Sequence, residues 1–255
     1  MKKFIYPILG LLILIAAVIG GCGKAADINT SISYEYDLRG GIVKNLDTDS
    51  TEAVFVLTRN GNNYTQATMV LSGDTIVYDT TIEFYRLSYD DTSLTPAGID
   101  TLHIVDSSDL NEKFAYTIPE DFYISSISLP ENRINAGGSE VQIQWAASLQ
   151  NDGYIFAVVL KDSTYINDGY TEFVDNSITL ANIPPDAFRI YGDTLTLGWY
   201  YVYIYSYTDN PASTYNLPTS IPAGLTDNID NTDITGRYGS ILVSPRDSIF
   251  VDAGK

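Results

Sequence analysis

Most of this chain consists of short runs in which apolar and polar residues alternate, separated by Gly, Asn, Asp and Pro. A period of two is typical of β-strands with one buried face, and helical apolar spacing is not sustained over about ten residues anywhere. Thr, Tyr, Val and Ile, which favour strands, dominate the runs. The pattern therefore predicts an all-β protein.

In the first half the alternation predicts a β-sandwich. Asn60-Gly61 and Ser72-Gly73 are tight-turn sequences, because Gly and Asn tolerate the positive φ of hairpin turns. Seven strands are predicted, at 31–38, 53–59, 65–71, 75–78, 82–89, 99–105 and 112–118. That number in so short a stretch favours a sandwich. The segment from Ala53 to Val70 resembles the carboxypeptidase-regulatory and immunoglobulin-like modules of bacterial surface proteins.

A module boundary is predicted between Pro119 and Pro130, after which the pattern restarts at a Gly137-Gly138 turn. The chain is then divided into a signal peptide (1–21), a linker (22–30) and two β-sandwich modules (31–121 and 122–255). The mature part is long enough for one large or two ordinary domains.

The second module begins with the clearest alternation in the chain, where Val141, Ile143 and Trp145 are predicted to face inward. Its aromatic and aliphatic positions resemble fibronectin type III and related immunoglobulin-like modules, and they are Trp145, Tyr154, Leu180, Tyr200, Val202 and Ile204. The resemblance implies a sandwich fold, but such modules serve as spacers, adhesins and accessory domains alike, so it does not specify function.

The second module departs from this family by a long insertion, residues 208–237, where a short hairpin is usual. Loops of that length without their own structure are uncommon and are either functional or disordered. We interpret the insertion as functional, because it lies at the sheet edge where such modules present recognition loops.

Five aromatic residues share the outward side of the strand that precedes the insertion. If Tyr200, Val202 and Ile204 face inward, parity places Trp199, Tyr201, Tyr203, Tyr205 and Tyr207 on the opposite face. A large apolar face indicates an interface. Either the insertion or the first module covers it, or it binds a glycan or a surface protein through stacking and tyrosine hydroxyl groups.

The amino terminus has the features of a secretory signal: Lys2 and Lys3, an uncharged run from 4 to 21, and Cys22. Ile19-Gly20-Gly21-Cys22 resembles the lipobox of bacterial lipoproteins, in which the cysteine is acylated and becomes residue one. The alternative is a transmembrane helix, since 18 residues lie at the lower limit for a span. The resemblance to enterobacterial lipoproteins implies that Gly23, in place of Asp, favours the outer membrane or cell surface over the inner membrane.

Composition agrees with a cell-envelope protein. Cys22 is the only cysteine, so disulfides, a thiolate nucleophile and cysteine zinc sites are excluded. The chain carries a net charge of −18, and removing Lys2 and Lys3 makes it more negative. Such a protein repels nucleic acid, so its predicted partners are a membrane, reached through a lipid, and a glycan or surface protein.

Candidate chemistry is sparse, and no catalytic residue is assigned. His103 is the only histidine and lies on a predicted strand. The motifs of metalloproteases, α/β-hydrolases and nucleotide-binding loops are missing. Paired carboxylates could still form a glycosidase, which is the enzyme alternative. Weak calcium sites are predicted from two acidic clusters, Asp227, Asp230 and Asp233 in the insertion and Asp47, Asp49 and Glu52 before the second strand.

Overall fold

A computed structural model describes residues 35–89, 99–108, 110–129, 133–135, 141–161, 169–192, 194–212, 215–231 and 233–252. The predicted signal peptide and linker, with Cys22, lie outside these residues. So do Pro130 and the Gly137-Gly138 turn.

The first half of the described chain is made of β-strands alone. They are β1 (Tyr36–Asn45), β2 (Ser50–Arg59), β3 (Asn62–Asn63), β4 (Thr68–Leu71), β5 (Asp74–Asp79), β6 (Phe84–Tyr89), β7 (Ile99–Val105) and β8 (Asn111–Thr117). The predicted hairpin turns are present, and Gly61 and Gly73 have φ of 77° and 95°.

The second half adds eleven strands and one 3-10 helix within the described residues. They are β9 (Ile124–Ile127), β10 (Arg133–Asn135), β11 (Val141–Trp145), β12 (Gly153–Leu160), β13 (Gly169–Asp175), β14 (Leu180–Ile183), the 3-10 helix (Pro185–Phe188), β15 (Gly198–Asp209), β16 (Ile229–Asp230), β17 (Ile234–Arg237), β18 (Gly239–Val243) and β19 (Asp247–Asp252). The prediction of an all-β fold is confirmed. Among all the residues that the structure describes, no helix is long and apolar enough to cross a membrane.

The first sandwich encloses its core between two layers of one continuous sheet. One layer contains β1, β2 and β6 and the other contains β4, β7 and β8, while β5 pairs with β4 at residues 74–76 and with β6 at residues 77–79. Phe55, Met69 and Leu102 are each at most 1% exposed and pack in this core. Ile229 and Ile234, from the insertion, belong to the same core. The insertion therefore completes the first sandwich as well as extending the second.

The second sandwich has the strand arrangement expected of a fibronectin-like module. A three-stranded sheet of β9, β11 and β14 faces a sheet in which β13, β12, β15 and β19 are neighbours. Val141, Ile143 and Trp145 are at most 2% exposed, so their predicted inward orientation is confirmed. The Trp145 ring meets Tyr154 edge to face, with 5.4 Å between centroids.

Strand β1 joins the two sandwiches. It pairs with β2 along its whole length, and its other edge pairs in parallel with β17 and then with β18. Thus β1, from the predicted first module, is hydrogen-bonded to strands of the second. Residues 34–255 form one compact unit.

The first strand runs further than the alternation predicts, to Asn45 and not to residue 38. The reason is close backbone contact at two glycines. A Cβ at Gly40 would lie 2.3 Å from the carbonyl oxygen of Val54, and one at Gly41 would lie 2.6 Å from that of Gly239. Gly40 and Gly41, where the sequence pattern predicts that the strand has ended, therefore allow β1 to continue between its two neighbouring strands.

Candidate functional site

The candidate site is the outer face of β15. Tyr200, Val202 and Ile204 are 0% exposed and belong to the core of the second sandwich. Tyr203 and Tyr205 belong to a separate cluster on the opposite side of the sheet. The predicted parity of this strand is therefore confirmed.

The middle of that outer face is covered by the insertion. Leu217 is 6% exposed and packs in one cluster with Tyr203 and Tyr205, which are 5% and 0% exposed. The backbone N–H of Thr219 donates a hydrogen bond to the Tyr205 hydroxyl at 3.2 Å. In this structure these two tyrosines are not accessible to a ligand.

The other predicted aromatic residues are less enclosed. Tyr207 is partly buried and meets Phe173 at 5.9 Å between ring centroids. Tyr201 is partly buried, whereas Trp199 is 44% exposed. The stripe is therefore closed towards the insertion and open at its Trp199 end.

A second aromatic ring joins the open end from β19. The β15–β19 register pairs Trp199 with Phe250 and Tyr201 with Ser248, and the Trp199 and Phe250 ring centroids are 5.1 Å apart. We refer to Trp199, Tyr201 and Phe250 as the Trp199 platform. Phe250 was missed in the sequence, although its alternation with the buried Ile249 and Val251 places it on the outer face.

Three cationic side chains surround the Trp199 platform. The Arg133 guanidinium carbon lies 5.1 Å from the Phe250 ring centroid, and that of Arg246 lies 4.5 Å from the Tyr201 centroid. Lys161 Nζ lies 6.0 Å from the Tyr201 centroid. These cations come from β10, the end of β12 and the loop between β18 and β19, so no local sequence pattern could group them.

Two carboxylates accompany these cations. Arg133 and Asp252 form an ion pair at 3.5 Å, and so do Arg246 and Asp47, whose side chain is only 12% exposed. The charge of Asp47 is the leading cause that raises the pKa of Arg246, followed by a hydrogen bond with Tyr203. Asp47, predicted as a calcium ligand, therefore serves here as the counter-ion of Arg246.

The acidic cluster of the insertion is not assembled into a metal centre in the described residues. Asp227 pairs with Arg39 at 3.3 Å, and the carbonyl oxygen of Asp233 accepts the Tyr36 N–H at 2.9 Å. Asp230 lies on the short strand β16. No group of three or more His, Cys, Asp or Glu side chains suited to a metal ion is found in the described ranges.

The second acidic cluster and the histidine also have protein partners. Glu52 forms a two-contact pair with Arg86 at 2.9 and 3.0 Å. Asp49 sits in a turn with φ of 53°. His103 Nε2 hydrogen-bonds to Asn111 Oδ1 at 2.8 Å on a strand whose neighbours Leu102 and Ile104 are fully buried. Calcium binding remains a prediction.

A carboxylate pair lines a cleft between the two sandwiches. Asp152 and Asp209 flank an open cavity of about 480 Å³, and the Asp209 N–H donates to Asp152 Oδ2 at 2.7 Å. Burial, followed by the charge of Asp152, raises the pKa of Asp209. The Asp152 carboxylate thus holds the backbone at the end of β15, where Asp209 has φ of 56°.

Comparison with known proteins gives no family. No family model matches this chain, and no curated protein matches it. Among solved structures, the chicken CNTN1 FN1-FN3 domains are 12% identical with a TM-score of 0.29, covering 88% of this chain and 65% of that one, just under two thirds.

Two further structures have similar identities and TM-scores. The Clostridium thermocellum CbhA fibronectin(III)-like modules are 10% identical with a TM-score of 0.28, covering 85% of this chain and 90% of that one. The D0-D1 domain of Intimin is 11% identical with a TM-score of 0.23, covering 84% and 97%. All three TM-scores are below 0.5, so these similarities do not define the fold, which follows from the strand order of this chain.

Proposed function

We propose that this protein is a lipid-anchored component of the bacterial cell envelope that acts as a non-catalytic binding or spacer element. The observation that carries the proposal is β1, the strand that follows the predicted anchor. Residues 23–35 separate Cys22 from this strand. Even fully extended, they allow no more than about 50 Å between Cys22 and the start of β1.

An anchor attached before β1 is connected to both sandwiches through this one strand. Strand β1 is hydrogen-bonded to β2 on one edge and to β17 and β18 on the other. Domains joined only by a linker move relative to one another by default. A strand shared by both sandwiches opposes such movement, so a ligand bound on the second sandwich is held at a fixed position relative to the first.

The anchor itself is proposed from the sequence around Cys22. Acylation with two or more chains gives stable membrane attachment, whereas one chain is marginal. Gly23 in place of Asp favours transfer to the outer membrane. The protein then presents its acidic surface to the periplasm or the exterior, and nucleic acid is not a partner because of the net charge of −18.

A carbohydrate-binding accessory role is the second candidate, and the open Trp199 platform favours it. Exposed aromatic rings supply stacking area for a ligand. Trp199 is 44% exposed, on the same face as the covered Tyr203 and Tyr205. The proposal therefore assigns binding to the Trp199 end of the stripe, and no catalytic step is assigned to the protein.

Fractionation tests the anchor. In a bacterial host fed labelled palmitate, Cys22→Ala is expected to lose both the label and membrane retention, because the acylated thiol is gone. Gly23→Ala, which keeps Cys22, is the matched control and should retain both. A Cys22→Ala protein that still pellets with membranes at full precursor mass would show a transmembrane anchor and refute the proposal.

A third variant tests the location. Gly23→Asp should move the protein from outer-membrane to inner-membrane fractions on a density gradient in an enterobacterial host. Identical distribution of Gly23→Asp and wild type would remove the outer-membrane part of the proposal while leaving the anchor intact.

A further inference from the structure

We infer that the Trp199 platform binds an acidic polysaccharide, one whose sugar rings carry carboxylate or sulfate groups. A sugar ring stacks on Trp199, and Arg133, Arg246 and Lys161 receive the anionic groups. The inference rests on the proposed binding role and names the ligand class of that site.

The first step is accessibility. The insertion seals Tyr203 and Tyr205, but Trp199 keeps 44% of its surface exposed. Exposed aromatic side chains beside a large apolar cluster indicate an interaction site more often than a lone surface residue does. The open end is therefore the part of the stripe that a partner can reach.

The second step is the orientation of the arginines. Arg133 lies over Phe250 and Arg246 lies over Tyr201, at 5.1 and 4.5 Å from the ring centroids. Contact with a ring restricts where each guanidinium lies, and its remaining N–H groups can donate to a carboxylate or sulfate. Part of the ordering cost of binding is thus already met in the free protein.

The third step concerns the internal ion pairs. Arg133–Asp252 and Arg246–Asp47 both measure 3.5 Å, and both arginines are 48% exposed. Exposed ion pairs contribute about 0–1 kcal/mol, so a ligand anion can replace Asp252 at Arg133 at small cost. The Asp47 side chain is only 12% exposed, so at Arg246 a ligand anion shares the guanidinium with Asp47 and does not displace it.

The fourth step is charge complementarity. Arg133, Arg246 and Lys161 belong to the 14 basic residues of a chain with 32 acidic ones. Among the described residues, Arg133 pairs with Asp252 and Arg246 pairs with Asp47. Screening limits electrostatic effects to about 8 Å at physiological ionic strength, so a ligand at the platform meets the local cations more than the distant acidic surface.

The geometry selects a glycan over a peptide. β15 is paired on both edges here, with Phe250 of β19 opposite Trp199 and the Lys161 N–H bonded to the Trp199 carbonyl oxygen. A peptide therefore cannot add as a strand. The tilted Trp199 and Phe250 rings, with cations beside them, match a chain of sugar rings that carry acidic groups.

Gel retardation and tryptophan fluorescence test the inference with the full acylated protein in detergent micelles. Polygalacturonate and dextran sulfate are expected to retard the protein and perturb its emission, whereas neutral dextran and polyglutamate are not. Retention should weaken with added salt, because the cations supply part of the affinity.

Variants assign the effect to named side chains. Trp199→Ala and the double variant Arg133→Gln with Arg246→Gln should each weaken binding at least tenfold, with thermal transitions close to wild type. Trp199→Phe, which preserves a ring, should be intermediate and covers the case in which Trp199→Ala fails to fold. Arg189→Gln and Tyr123→Ala, at an exposed ion pair and an exposed ring elsewhere, are the matched controls and should bind normally.

The contrary results are distinct. No retardation by either acidic polysaccharide overturns the inference, and so does a loss with Arg189→Gln as large as that of the double variant. Equal binding of polyglutamate points to an acidic protein partner, and equal binding of neutral dextran to an uncharged glycan; both contradict it. Normal membrane retention without glycan binding would refute this inference alone, because the Cys22 fractionation tests the anchor separately.

Discussion

The hydroxyl of Tyr205 accepts a hydrogen bond from the backbone N–H of Thr219 at 3.2 Å, with both residues 0% exposed. Burial of the phenol raises the pKa of Tyr205, and the Thr219 hydrogen bond opposes that effect in part. This contact fixes the insertion on the outer face of β15. It converts the middle of an aromatic stripe into a third apolar cluster.

Truncating Tyr205 should therefore destabilise the fold. Tyr205→Ala is expected to cost about 3–5 kcal/mol in free energy of unfolding, as large aromatic truncations in cores do. Tyr205→Phe keeps the ring but removes the hydroxyl that accepts the Thr219 N–H hydrogen bond, so we expect a loss of about 1–3 kcal/mol. Urea denaturation followed by circular dichroism measures both.

The exposed Tyr123, at 60%, provides the control for this experiment. Tyr123→Ala should stay within about 0.5 kcal/mol of wild type. A Tyr205→Ala protein as stable as Tyr123→Ala would mean that the insertion does not cover β15, and the stripe would then be an open face along its length.

The two sandwiches should unfold together, because β1 belongs to both. In a Trp199→Phe background the fluorescence reports Trp145, in the core of the second sandwich. Leu71→Ala, in the core of the first, should lower the urea midpoint of that signal, with a cost of about 2–5 kcal/mol. Val77→Ala, at a side chain that is 66% exposed, should not. A Trp145 midpoint unmoved by Leu71→Ala would show independent modules.

The backbone of Leu38 lies so close to Gly236 that any side chain at position 236 should destabilise the fold. The φ of Gly236 is 136°, and a Cβ there would lie 1.9 Å from the carbonyl oxygen of Leu38 on β1. Gly192 has a similar φ of 130° with no atom within 4 Å of the added Cβ. Gly236→Ala should therefore be less stable than Gly192→Ala by about 1–3 kcal/mol, the cost of overpacking. Equal losses in thermal unfolding would contradict the parallel pairing of β1 with β17.

The junction carboxylate Asp209 should make stability depend on pH. Burial, followed by the charge of Asp152, raises the pKa of Asp209 in the folded protein. The contribution of this group to the free energy of unfolding is therefore fully present below the unfolded pKa of about 3.9, and it is lost as the pH rises through the folded pKa. Asp209→Asn does not ionise and tolerates the positive φ. It should be more stable than wild type at pH 7 and lose that advantage near pH 3.

The opposite sign is expected at Asp175, whose pKa is lowered by hydrogen bonds from the Ser177 side chain and backbone. That group adds stability above the unfolded pKa, and the contribution is lost as the pH falls through the folded value. Asp175→Asn should thus reduce the melting temperature at pH 7. Shifts of the same sign in both variants would contradict this assignment.

The amino-acid sequence by itself determined the strand content and, for β11 and β15, the side that faces the core, whereas Leu180, also predicted as a fibronectin-like position, is 45% exposed. Trp145, Tyr200, Val202 and Ile204 are buried as their alternation predicts, because side chains on neighbouring positions of a strand point to opposite faces. The turn glycines at 61 and 73 are equally local, since positive φ is a property of single residues.

Only the tertiary structure decided what packs against each face. Alternation places Trp199 and Tyr205 on the same face of β15. Trp199 is nevertheless 44% exposed and Tyr205 is 0% exposed, because the insertion packs on Tyr205. The parallel pairing of β1 with β17 and β18 and the approach of Arg133 and Arg246 to the platform are equally non-local. Alternation of apolar and polar residues identifies the two faces of a strand, because it depends only on neighbouring positions. Which segment packs against each face depends on contacts between residues far apart in the sequence.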